Sequence, residues 1–117
     1  MQFTTHANTS NAKAINGTHL QGHIHCDYDK LTEVFGYPLS EGFDDYKSDA
    51  EWHIFFNDGT VATIYNYKNG RNYLGDAGKY PEEITYWNIG GHDQKAVEKV
   101  MQVLGLRNIK SMSELFA

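Results

Sequence analysis

Two runs rich in aromatic and β-branched residues, 51–57 and 60–67, flank the dipeptide Asp58-Gly59. That pairing is a strong short-range signal for a β-hairpin, because glycine reaches the backbone angles a tight turn needs. Side chains alternate along a strand. In the first run Trp52, Ile54 and Phe56 therefore share a face; in the second, Val61, Thr63, Tyr65 and Tyr67 oppose Ala62, Ile64 and Asn66. A hairpin alone is marginal in water, so the remaining chain must extend the sheet and cover its apolar side.

Residues 18–26 alternate with period two and predict a further strand. Thr18, Leu20, Gly22, Ile24 and Cys26 fall on one face, and His19, Gln21, His23 and His25 on the other. Asp27 then caps a short helix striped by Leu31, Val34 and Phe35, which Gly36 and Pro38 stop. A strand is expected over 84–89, followed by a helix with Ala96, Val97, Val100, Met101 and Leu104 on one face and Gly105 as its stop. Residues 1–17 lack a period and read as a mobile arm; 18–117 form one domain. Residues 39–49 and 71–78 read as loops, and 113–116 as a short helical turn. The order strand, helix, hairpin, strand, helix predicts an α+β fold: an antiparallel sheet of about four strands with two main helices on one face.

At 117 residues the chain has room for one modest core. It holds no apolar run near the roughly 20 residues that a membrane span requires. The opening residues lack the basic-then-apolar layout of a secretory signal, so the expectation is a cytosolic protein with no membrane partner. One cysteine, Cys26, rules out an internal disulfide and a multi-cysteine zinc site. The net charge of −5 argues against a duplex-DNA binder, which carries a basic face. Charge is uneven: residues 27–58 hold nine acids and two bases, and the rest is net basic.

Chemistry-bearing residues concentrate in two places. Between 63 and 73 stand Tyr65, Asn66, Tyr67, Lys68, Arg71, Asn72 and Tyr73, with no acid from 59 to 75. Aromatic faces stack on bases, amides read base edges, and Lys or Arg meets phosphate; the same residues also suit a hairpin whose tyrosines simply pack. Gly90-Gly91-His92-Asp93 lies where a strand enters a helix, a place where free N–H groups and the helix dipole attract anions. A tight turn with Asp93 as cap is the plainer reading. Trp52 and Trp87 could stack a base or fill a core. His19, His23 and His25 share the outer face of their strand, but no fixed carboxylate joins them, and no metal or other cofactor is expected. No catalytic triad, nucleophile elbow or phosphate loop is present, and no catalytic residue is assigned.

The block Glu51-Trp52-His53-Ile54-Phe55-Phe56-Asn57-Asp58-Gly59-Thr60, continuing through Tyr65-Asn66-Tyr67-Lys68-Asn69-Gly70 to Asn72-Tyr73-Leu74-Gly75, resembles a family of small proteins encoded by tailed bacteriophages. Ile84-Thr85-Tyr86-Trp87-Asn88-Ile89-Gly90-Gly91-His92, followed by Ala96-Val97, is similar to a second signature of that family. With Phe35-Gly36-Tyr37-Pro38 the resemblance covers about 22–104. It implies an accessory phage product acting in the host cytoplasm against host defence. The corresponding expectation is a non-catalytic protein that sequesters a nucleotide-type immune signal. Tyr65, Asn66, Lys68, Arg71, Tyr73 and Trp87 would grip base and phosphate, and Gly90, Gly91 and His92 would add donors. A homo-oligomer would help so small a chain enclose its ligand. The alternative is an inhibitor whose acidic 27–58 region occupies a basic channel on a defence nuclease or CRISPR effector.

Overall fold

The computed structural model describes residues 3–5, 14–39 and 47–106. The hairpin forms as expected. Strands β3 (Glu51–Phe56) and β4 (Val61–Tyr65) pair antiparallel, with Glu51 opposite Tyr65, His53 opposite Thr63 and Phe55 opposite Val61. The turn uses Gly59 at φ +92°, and the Asp58 carboxylate accepts the Thr60 N–H at 2.9 Å.

Strands β1 (Phe3–Thr5), β2 (His19–His25) and β5 (Tyr86–Gly91) extend the hairpin on both sides. The sheet has the order β1-β3-β4-β5-β2 and is antiparallel throughout. Among the described residues it thus has five strands where about four were expected. The extra one comes from the stretch read as an arm. Phe3 pairs opposite Phe56, and its ring lies 5.3 Å from that of Phe35 and 5.9 Å from that of Phe56. A three-residue strand carries too little period to be seen in sequence. The expected turn at 113–116 lies outside the described residues.

One face of the sheet carries helices α1 (Tyr28–Phe35) and α3 (Lys95–Leu104). Leu31 and Phe35 from α1, and Ala96, Val97, Val100 and Leu104 from α3, meet Trp52, Ile54, Ile64, Trp87 and Ile89 of the sheet. Both helices end on a positive-φ glycine, Gly36 and Gly105, as their stops required. The N-cap of α3 is Gln94, and one residue ahead of it the Asp93 carboxylate accepts the Lys95 N–H at 2.9 Å. Gly91 lies under that helix, where a Cβ would collide with Ala96.

At the centre Trp52 and Trp87 are wholly buried, edge to face with ring centroids 5.3 Å apart. Each indole N–H has a carbonyl to donate to: Trp52 Nε1 to Gly36 at 2.8 Å and Trp87 Nε1 to Cys26 at 2.9 Å. Burial of both rings, with each polar handle satisfied, removes a large apolar area from water at the centre of the core.

Strand β2 departs from its expected alternation. A bulge between Leu20 and Gly22 reverses the faces, so Leu20 is 52% exposed and only Ile24 and Cys26 are buried as read. The extra residue, Gln21, is used: its side chain donates to the Gly91 carbonyl at 3.0 Å, and its own carbonyl accepts Gln94 Nε2 at 2.9 Å. The bulge also moves His19 out of the row of His23 and His25, which lie beside the Tyr86 ring at 4.9 and 5.0 Å.

No helix among the described residues is long and apolar enough to cross a membrane.

Replacing Trp87 by alanine should cost about 3–5 kcal/mol, a large part of the stability of a small domain, as read by urea unfolding. A second expectation concerns the hairpin turn. Lys99 Nζ sits 2.7 Å from Asp58 Oδ2 and, with the Thr60 N–H, holds that carboxyl well below the usual carboxylate range. A depressed folded-state value stabilises above the unfolded value and loses that effect as pH falls through the folded one. The Tm gap between the wild type and Asp58→Asn should therefore be widest near neutral pH and close in strong acid.

Candidate functional site

After β4 the chain enters a stretch read from sequence as a turn and loop, and here it is a built platform. Its organiser is Asn66, 1% exposed. The Asn66 amide oxygen accepts the N–H groups of Asp49 at 2.8 Å and Ala50 at 3.0 Å, while its nitrogen donates to Asp49 Oδ1 and Asn69 Oδ1, both at 3.0 Å. All four hydrogen-bonding positions of the amide are used. Ser48 Oγ donates to the Asn66 carbonyl at 2.7 Å, and Asn72 reaches both the Asp49 carboxylate and the Ser48 carbonyl. Gly70 is packed into this knot, where a Cβ would run into the Asp49 carboxylate. Residues 71–78 consequently form helix α2 (Arg71–Leu74) and a 3₁₀ turn (Gly75–Ala77) rather than an open loop.

On this base stand alternating rings and cations. Lys68 Nζ lies 5.2 Å from the ring centroids of both Tyr67 and Tyr73. Arg71 lies 4.5 Å above the Tyr80 ring, and its guanidinium also meets Asp76 at 3.0 Å. Tyr67, Tyr73 and Tyr80 remain 47, 38 and 54% exposed. Lys68 is the one non-glycine residue with positive φ, at 59°, among the described residues. A left-handed lysine costs on the order of 1–2 kcal/mol, so its placement between two tyrosines is held against a backbone preference.

Of the residues assigned to a ligand from sequence, Lys68, Arg71 and Tyr73 come together here. Asn66 lies beneath them as scaffold, with no free hydrogen-bonding position. Tyr65, Gly90, Gly91, His92 and Trp87 do not join them. Trp87 is in the core with no exposed surface, because the helices cover its side of the sheet. Gly90 and Gly91 are strand residues, not a strand-to-helix turn, and at the start of α3 the Lys95 N–H is already taken by the Asp93 carboxylate. His92 donates from Nε2 to the Ala14 carbonyl at 2.7 Å, in a shallow groove beside Asp58, Asp93 and Lys95 where two carboxylates oppose an anion.

Tyr65 and Gly90 belong to the open face of the sheet, away from the helices. There Glu51 and His53 form a pair that sequence reading missed. Glu51 Oε2 is 2.6 Å from His53 Nε2, and the two side chains are 17 and 10% exposed. A carboxylate and an imidazole two residues apart on a strand necessarily share a face, and that spacing was the available signal. Burial, helped by the Glu51 carboxylate and by Tyr67, pushes the Tyr65 phenol upward. Thr63 stands opposite His53, and Gly90 next to Thr63.

The acidic region is partly spent on such internal contacts: Asp49 on Asn66 and Asn72, Glu51 on His53, Asp58 on Lys99. Glu41, Asp44 and Asp45 lie outside the described residues. Among the described residues no group of three or more His, Cys, Asp or Glu is placed to hold a metal ion.

No protein-family model matches the chain, and no curated protein matches it.

Asn66→Ala strips four hydrogen bonds from buried partners. It should cost about 2–4 kcal/mol by denaturant unfolding, from roughly 1 kcal/mol per bond. It should also raise amide exchange across 47–50 and 66–72 more than in the sheet.

Proposed function

We propose that the protein binds a nucleotide-type anion on the Tyr67–Lys68–Arg71–Tyr73–Tyr80 platform and holds it without converting it. The observation that carries this reading is Lys68, kept in a left-handed conformation between two exposed tyrosine rings and anchored through Asn66. Tyrosine faces accept a base by stacking, and Lys68, Arg71 and nearby Lys47 and Lys79 answer phosphate charge. The only carboxylate among the side chains of 66–80 is Asp76, which meets Arg71.

The phage resemblance gives this binding its setting: an accessory protein that withdraws a nucleotide immune signal from the host cytoplasm. Because the platform is an open surface, a second copy closing over it would raise retention. The inhibitor alternative has less support, since Asp49, Glu51 and Asp58 are occupied within the chain.

A thermal-shift series with cyclic di- and trinucleotides and ADP-ribose derivatives tests the reading. Ligand at 100 times its Kd should add about 2.7 kcal/mol, a rise on the order of 10 °C for a domain of this size. Lys68→Gly is the sharpest variant. It relieves the left-handed strain, so the free protein should be as stable as the wild type or more so, while the ligand shift disappears. Arg71→Ala should weaken the shift. A flat response to every nucleotide, or an unchanged shift in both variants, contradicts the reading.

A further inference from the structure

On the open face of the sheet a cavity of about 220 Å³ is lined by Glu51, His53, Thr63, Tyr65 and Gly90 from the central strands and by residues 15 and 18–20 at its edge, Thr18 and His19 among them. This is below the roughly 300 Å³ at which pockets for drug-sized ligands begin, so it suits a single small ring.

Two polar atoms there are buried without a partner. Thr63 is 6% exposed, and its hydroxyl has no hydrogen bond among the described residues. His53 is 8% exposed and uses only Nε2, toward Glu51. Glu51 accepts from Nε2–H, and in the tautomer that carries this one ring proton Nδ1 is an unused acceptor. Buried polar groups left unpaired are costly and uncommon, and two on directly opposed residues call for one occupant. Cross-strand neighbours of this kind have Cβ atoms about 5 Å apart, and both residues line the cavity, within reach of one small occupant.

Gly90 makes the arrangement possible. A Cβ at that position would collide with Thr63 Oγ1, so glycine is what lets the hydroxyl lie over the strand floor. Tyr65 contributes a flat ring to the lining, and Leu20 and Ile15 contribute apolar surface.

We infer that this cavity binds a small neutral cyclic amide, whose ring N–H donates to His53 Nδ1 while its adjacent C=O accepts from the Thr63 hydroxyl. The site does not depend on the tyrosine–cation platform. It uses different residues and a ligand without charge.

The probes are uracil, hypoxanthine and 2-pyridone, with 1,3-dimethyluracil as the analogue that lacks a ring N–H. In amide NMR titrations of the full chain, at least one of the three should shift Thr63, Tyr65 and Gly90, and dimethyluracil should not. Thr63→Val keeps the shape and removes an unpaired hydroxyl. Its Tm should match or exceed the wild type, yet binding should weaken about tenfold or more, the cost of one buried hydrogen bond. Thr63→Ser should retain binding, His53→Gln should lose it, and Lys68→Gly should leave it untouched. The inference is overturned if none of the three probes shifts these amides, if dimethyluracil binds as well as uracil, or if Thr63→Val binds like the wild type. A lower Tm in Thr63→Val would equally overturn it, by showing that the hydroxyl is already used within the fold.

Discussion

The side-chain amide of Asn66 is the point on which the surface chemistry of this protein depends. It sits one residue past the end of β4, inside the molecule, and its four hydrogen bonds tie 47–50 to 66–72. An amide suits this position because it presents two donors and two acceptors from one planar group. No hydrophobic side chain could order this stretch, since the groups to be satisfied are backbone N–H and carboxylate oxygens. The consequence is that a run of polar residues with three glycines is held as α2 and its flanking turns, with Lys68, Arg71 and three tyrosines projecting from a fixed base.

The two faces of the sheet divide labour. The helix-covered face buries Trp52 and Trp87 against α1 and α3 and satisfies both indole N–H groups, which makes it a stabilising layer with nothing left over. The opposite face keeps unspent polar chemistry: a carboxylate–imidazole pair, an unpaired hydroxyl and a half-buried phenol. β4 runs through the middle of both and leads directly into the platform, so the same strand contributes to the cavity and fixes where the platform begins.

The hairpin, both principal helices and the composition of the core were legible in the sequence because each rests on a period: two for 51–56 and 61–65, about 3.6 for 28–35 and 95–104. What was illegible lacked a period or broke one. Phe3-Thr4-Thr5 is too short to show alternation. The extra residue at Gln21 reverses the faces of β2 ahead of it, and nothing local announces it, since Gln21 finds its partners at Gly91 and Gln94. Of the residues read as ligand contacts, Lys68, Arg71 and Tyr73 converge, because they lie close together in the chain. Trp87 and Gly91 have chemistry suited to ligands but sit where packing consumes it. Asn66 stands out in the sequence as a ligand contact, whereas in the fold it is scaffold. Its partners at Asp49 and Ala50 lie 17 and 16 residues upstream and become neighbours only through the fold. The Glu51–His53 pair escaped notice because aromatic core residues surround it in sequence.

The central claim is retention of an intact nucleotide by a fixed tyrosine–cation surface. The direct measurement is to incubate the purified chain with a mixture of cyclic dinucleotides, cyclic trinucleotides and ADP-ribose derivatives, then remove the unbound ligand by gel filtration and denature the protein. Mass spectrometry then identifies what is released. The account predicts one nucleotide class, recovered chemically unchanged and in fixed proportion to protein, and its absence from the Lys68→Gly eluate. Recovery of a cleaved product, or of no nucleotide at all, would contradict it.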